Sequence, residues 1–162
     1  GGFSITDMLV KLYALPPLEP VMAQQTAQGI TIRRAIAPEK HLVLDFIRQH
    51  FSEYWVSECE AALAHQPIGC WLAVDGEALI GFGCWDATTR GFFGPTGVSE
   101  AARGRGVGKA LLLACLHDMR QFGYGYAVIG GVGPADFYAS VSGATIIPDS
   151  TPGVYAGMLR KS

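Results

Sequence analysis

The run Arg103-Gly104-Arg105-Gly106-Val107-Gly108-Lys109 lies between an apolar, strand-like stretch and a long helix-like stretch. It reads as an anion cradle at a helix N-terminus. Glycines at alternate positions let the backbone turn sharply and leave N–H groups facing outward, where first-turn donors and the positive end of the helix dipole can hold a phosphate. Two arginines and a lysine supply countercharge.

Two familiar phosphate motifs are excluded. A Walker A loop ending at Lys109 needs glycine where the chain has Arg103, and Ser or Thr where it has Ala110. A dinucleotide fingerprint needs its third glycine at the position of Lys109 and belongs in the first strand-turn-helix unit of a long α/β domain.

A chain of 162 residues is the size of one folded domain. With 49% hydrophobic and only 16% charged residues it predicts a large core and a self-association surface, such as that of a homodimer. A net charge of −2, with no long run of one sign, gives no footprint for nucleic acid or an anionic membrane. The apolar run Leu111 to Leu116 is cut short by His117, Asp118 and Arg120, so no membrane span is expected. Cys59, Cys70, Cys84 and Cys115 form no C-x-x-C pair and read as buried, reduced thiols of a cytoplasmic protein. The scattered His41, His50, His65 and His117 lack zinc spacing, and no metal is expected. The opening Gly1-Gly2 reads as a trimmed start and not as a signal peptide.

Along the chain, Ile5, Met8, Leu9 and Leu12 recur at helical spacing and predict a short helix over Ile5 to Leu15. A proline-rich connector and a second short helix over Val21 to Gln28 follow. Residues 1–29 are thus expected as an N-terminal helical extension and 30–162 as the main domain. Ile30 to Arg34 reads as a strand, Ala37 to Gln49 as a helix, and Ser52 opens another helix that ends near Pro67. Asp75-Gly76 joins Cys70 to Val74 and Ala78 to Asp86 as a hairpin, and Gly91 to Val98 forms the next strand. After the glycine loop come a helix over Val107 to Phe122, a strand over Tyr124 to Gly131, a short helix over Pro134 to Ser142, and terminal strands Thr145 to Ile147 and Val154 to Leu159.

The pattern Arg103-x-x-Gly106-x-Gly108, the order of elements from Ile30 to Leu159, and Ala135-x-Phe137-Tyr138 together resemble the GNAT (GCN5-related N-acetyltransferase) family. The resemblance implies an α/β (α+β) GNAT fold, with a mixed central sheet splayed between the strands before and after the main helix. Gly94-Pro95-Thr96 supports the splay independently, because a proline inside a strand sits at a bulge or an unpaired edge. The implied cofactor is acetyl-CoA. By the resemblance, backbone near Val98 pairs with pantetheine, and N–H groups from Arg103, Gly104, Arg105, Gly106, Val107, Gly108 and Lys109 hold the pyrophosphate. Tyr138 matches the family's general acid beside the CoA sulfur, and the reaction implied is direct attack of an amine, with a backbone N–H near Thr96 facing the oxyanion.

The chain departs from the family pattern in two places. No carboxylate lies on Gly91 to Val98, so Asp86, Glu58 or Glu53 are the candidate bases, with water as an intermediary. The asparagine that many relatives place on the strand after the main helix is missing here, where that strand ends Gly130-Gly131-Val132-Gly133. Trp55, Glu58, Asp86 and Phe93 are the candidate acceptor residues, with Tyr54, Trp85 and Phe92 as further aromatic lining. They would suit a small amine or an amino-acid derivative. The competing reading is a catalytically silent acyl-CoA-binding module.

Overall fold

The structure, a computed structural model, describes residues 5–160. Seven strands form one mixed sheet: β1 (Thr6–Lys11), β2 (Ile30–Arg34), β3 (Cys70–Asp75), β4 (Ala78–Trp85), β5 (Phe92–Val98), β6 (Tyr126–Val132) and β7 (Thr145–Ile146). Their order is β2-β3-β4-β5-β6-β1-β7, and every neighbouring pair is antiparallel except β5 with β6. The helices are α1 (Glu19–Ala27), α2 (Lys40–His50), α3 (Glu53–Ala64), α4 (Val107–Phe122) and α5 (Ala135–Ser142).

Alternation along the strands sorts side chains to two faces. Cys70, Leu72, Phe82 and Cys84 meet α2 and α3 through Val43, Ile47, Val56, Cys59 and Leu63. On the other face α4 is buried along nearly its whole length, with Leu111 and Ala114 against β2 and β3, and Leu112 and Leu116 against Trp85, Phe93 and Ile129. Local signals explain the helix limits. Ser52 accepts from the Trp55 N–H at the start of α3, and Gly123 and Gly143, both with positive φ, stop α4 and α5.

The N-terminal helix expected over Ile5 to Leu15 is instead β1 with a single 3-10 turn, Leu12–Ala14. Met8, Val10 and Leu12 satisfy a period of two as well as the other apolar residues satisfy a helical one. The uncovered edge of β6 decides between them: β1 pairs along it and sends those three side chains into the core. Residues 6–11 are therefore an integral strand of the sheet and no part of a helical extension, whereas the second expected helix is present as α1. The expected strand over Val154 to Leu159 is also absent: Pro152-Gly153 lead into a 3-10 turn at Gly153–Tyr155 that takes up its start, and Gly157, with φ of 72°, breaks the remainder.

A buried polar knot fixes α4 to the sheet. Asp118, with its side chain only 9% exposed, accepts from Arg34 Nη1 and Nη2 at 2.5 and 2.7 Å, from Trp71 Nε1 at 3.0 Å and from Trp85 Nε1 at 2.9 Å. The Arg34 guanidinium also lies 5.1 Å from the centre of the Trp71 ring. One carboxylate thus satisfies donors from β2, β3 and β4 at once. Asp118→Ala strands these donors beside an unpaired guanidinium, and is expected to cost about 3 kcal/mol, read as a lower urea midpoint at unchanged slope.

Candidate active site

Pairing between β5 and β6 is confined to Phe92 with Val128 and Phe93 with Ile129. Beyond that point the strands part. The cause lies in β5: between the pairs Gly83–Thr96 and Trp85–Phe93, β4 has one residue and β5 has two, Gly94 and Pro95. This is the bulge expected from the proline, which has no N–H to give to a ladder.

The parted stretch leaves backbone groups facing the gap. Ser99 N–H donates to the Ile80 carbonyl at 2.8 Å, which fixes the phase of the β4–β5 ladder. Antiparallel alternation then makes Phe82–Gly97 a hydrogen-bonded pair and turns the N–H and C=O groups of Thr96 and Val98 toward β6. The gap runs from the bulge to the N-terminus of α4.

At that end the glycine loop is built as the sequence suggested, with differences in detail. Gly104 and Gly106 have φ of 84° and 79°, and Gly106 caps α4. Among the described residues no group accepts from the N–H of Gly104, Arg105, Gly106, Val107, Gly108 or Lys109, which leaves six unpaired donors in succession. Arg103 N–H, by contrast, is already given to Glu100 O at 3.3 Å, and its Nε reaches Val98 O at 3.4 Å. Arg105 turns its guanidinium away from the loop's open side, to Asp75 at 3.0 Å and to Gln28. Its carbonyl in turn accepts from Gln25 Nε2 and Gln28 Nε2, both at 2.9 Å, so α1 braces the loop from behind. Lys109 is exposed and borders a groove of about 270 Å³ between the proline connector, α4 and α5.

Gly108 lies in the first turn of α4, where a Cβ would meet only Val98 Cγ2, at 3.9 Å. Internal packing does not require glycine there. The position opens instead beside the unpaired N–H groups, which a Cβ would crowd.

One tyrosine lies on each side of the sheet. Tyr138, on α5, is 8% exposed, packs against Phe93 and Phe137, and has a hydroxyl with no hydrogen-bond partner among the described residues; burial pushes its pKa up. On the α3 face, Tyr155 lies over β6. Its hydroxyl stands 2.7 Å from where a Cβ on Gly130 would be, so glycine at that position is what admits it. Thr88 donates to Glu58 Oε2 beside it. Burial pushes the Glu58 carboxyl up, and burial followed by the Glu58 charge pushes the Tyr155 phenol up. Tyr155 was hidden in the sequence because its segment reads as an edge strand; the Pro152-Gly153 pair preceding it is the one signal for a turn.

The other acceptor candidates separate clearly. Trp55 is half-buried, stacked with Phe51 at 5.0 Å between ring centres, on the side of β5 where Phe51 covers Gly97. Glu53 is exposed and paired with Arg48. Asp86 is committed to the β4–β5 connection: one oxygen accepts from Gly91 N–H and the other from the Tyr124 hydroxyl, both at 2.7 Å. Burial and this carboxylate push the Tyr124 phenol up to about 12. Phe93 and Trp85 are 2% and 0% exposed and belong to the α4-side core. Phe92 is buried under Gly130. All four cysteines are free and buried, and no helix among the described residues is long and apolar enough to cross a membrane.

Comparison with known proteins agrees with this geometry. No curated protein matches the chain. Among solved structures, a GCN5-related glucosamine N-acetyltransferase region of a fungal multi-domain GH3 β-N-acetylglucosaminidase superposes with a TM-score of 0.73 at 16% identity, covering 88% of this chain and 20% of that one. GCN5-related N-acetyltransferases from Sphaerobacter thermophilus and Kribbella flavida give TM-scores of 0.66 and 0.57 at 22% and 13% identity, with 88% of this chain covered in both and 48% and 54% of theirs. The chain therefore spans about half the length of these relatives or less. The model of the acetyltransferase (GNAT) family matches residues 35–140, which hold the bulged strand, the glycine loop, α4 and Tyr138, and the chain belongs to that family.

Proposed function

We propose that this chain is an acetyl-CoA-dependent N-acetyltransferase acting on the primary amine of a small, amino-acid-like molecule by direct attack. One observation carries the reading: the outward backbone edge of Thr96 and Val98 leads straight to six unpaired N–H groups, a shape and polarity matched to a pantetheine arm ending in a pyrophosphate. Acetyl-CoA would supply a thioester carbonyl open to an amine.

The chain's residues divide the remaining work. The Thr96 and Val98 edge orients the thioester, and an N–H of that edge faces the oxygen on which charge develops. Tyr138, a phenol and so protonated at neutral pH, donates to the departing thiolate. On the opposite face Glu58, with its carboxyl raised by burial, accepts the ammonium proton through Thr88, Tyr155 or water. Trp55 and Phe51 supply apolar wall beside it. Asp86 and Phe93 have no part in this scheme. Four reduced thiols suit a cytoplasmic setting.

Gly108→Ala should leave stability unchanged or raise it by about 0.5–1 kcal/mol, while weakening acetyl-CoA binding at least roughly tenfold in calorimetric titration. Absence of CoA binding to the folded wild-type protein would overturn the reading. Tyr138→Phe is expected to lower kcat about 100-fold with affinity for acetyl-CoA retained. CoA binding with no amine-dependent turnover across a broad amine panel would instead favour a silent binding module.

Glu58 adds a signed pH test. Its folded pKa is raised, so its contribution to stability is greatest below the unfolded carboxyl value of about 4.3 and falls as pH rises through the folded value. Glu58→Gln should therefore stabilise the protein at pH 7 relative to wild type, have less effect at pH 4, and lower kcat. Urea unfolding at the two pH values, set beside initial rates, reads both.

A further inference from the structure

Three of the four cysteines converge beneath α3, away from the chemistry proposed above. Cys70 and Cys84 stand directly opposite each other on β3 and β4, and Cys59 descends from α3 with its Sγ 3.8 Å from that of Cys70. All three are 0% exposed, and their sulfurs lie within 4.8 Å of one another. The wall around them is apolar: Val56, Ala62, Leu63, Leu72 and Phe82. Sulfur is thus directed at sulfur from three separate elements, with no oxygen or nitrogen ligand in the group.

We propose that Cys59, Cys70 and Cys84 form a three-sulfur site for one soft, thiophilic d10 cation of the Cu(I) or Cd(II) class. Metal–thiolate bonds of about 2.3 Å place three sulfurs around one ion roughly 4 Å apart, so these thiols need to close by less than about 1 Å. Hard cations want oxygen ligands, and structural zinc wants a fourth ligand. Cys115 does not supply it: its Sγ lies by Gly83 in contact with the α4-side core, on the sheet face opposite Cys84. Binding displaces the thiol protons to solvent, with no change of oxidation state, so capture strengthens as pH rises. The ion would tie α3, which also carries Trp55 and Glu58, to the sheet.

The test is anaerobic titration of the reduced 162-residue chain with Cu(I) from a competing chelator and, separately, with Cd(II). One equivalent of at least one ion should bind, with a thiolate-to-metal charge-transfer band, three sulfur neighbours in X-ray absorption, and a Tm raised by about 5 °C. Cys59→Ala and Cys84→Ala should each weaken binding at least roughly 100-fold, and Cys115→Ala should leave it unchanged. Cys59→Ser replaces the alanine variant if circular dichroism shows the latter unfolded. Capture of neither ion by wild type, two or fewer sulfurs around the bound ion, or affinity retained in the folded Cys59 variant would overturn the proposal; the sulfur count needs no variant and stands apart from acyltransferase activity.

Discussion

Pro95 has no N–H to give to a ladder, and the extra residue in β5 at that point ends its pairing with β6 after Phe93 and Ile129. Two strands that run side by side at one end are therefore apart at the other, each with backbone groups left facing the gap. Such groups are tolerated only where water or a ligand can reach them. The gap opens at the N-terminus of α4, where the first-turn N–H groups are unpaired for an independent reason, the geometry of any helix start. Coincidence of these two sets of donors makes a polar channel out of an otherwise apolar sheet.

Keeping that coincidence requires α4 to stay in register with β5. The knot around Asp118 does this from the far end of the helix, joining β2, β3 and β4 to one buried carboxylate. At the near end the brace is α1, whose Gln25 and Gln28 hold the Arg105 carbonyl while Arg105 itself is tied to Asp75. The N-terminal segment thus extends the sheet beyond β6 through β1 and positions the loop through α1. The Arg105 guanidinium, read in the sequence as countercharge, is a strut, while its backbone N–H stays unpaired in the loop.

The side chains proposed to act on the substrate are divided by the sheet. Tyr138 approaches from the α4 side, and Tyr155 with Glu58 and Thr88 from the α3 side. Gly130 makes room for the Tyr155 hydroxyl. The absence of a side chain in β6 is thereby filled by one from the C-terminal segment, which also crosses to β1: Ser150 accepts from the Asp7 N–H, and Asp7 in turn accepts from that of Gly131.

Local signals determined the elements whose causes are local. Pro95 announced the bulge, Ser52 the start of α3, Asp75-Gly76 the hairpin, and Gly106 and Gly123 the limits of α4; each acts through its own φ, cap or missing donor, so a single sequence displays it. Long-range pairing decided what periodicity left ambiguous. Met8 and Val10 became part of a strand because β6 offered an edge, and the roles of Arg105, Asp86 and Tyr155 were set by partners 77, 38 and 25 residues away in Gln28, Tyr124 and Gly130. Which cysteines meet was settled in the same way, since α3 must fold back over β3 and β4 before three sulfurs can face one another. The sequence by itself determined the family, the loop and the bulge, because these are written in backbone chemistry; the tertiary structure alone decided which side chains face the gap, because that depends on what each strand finds beside it.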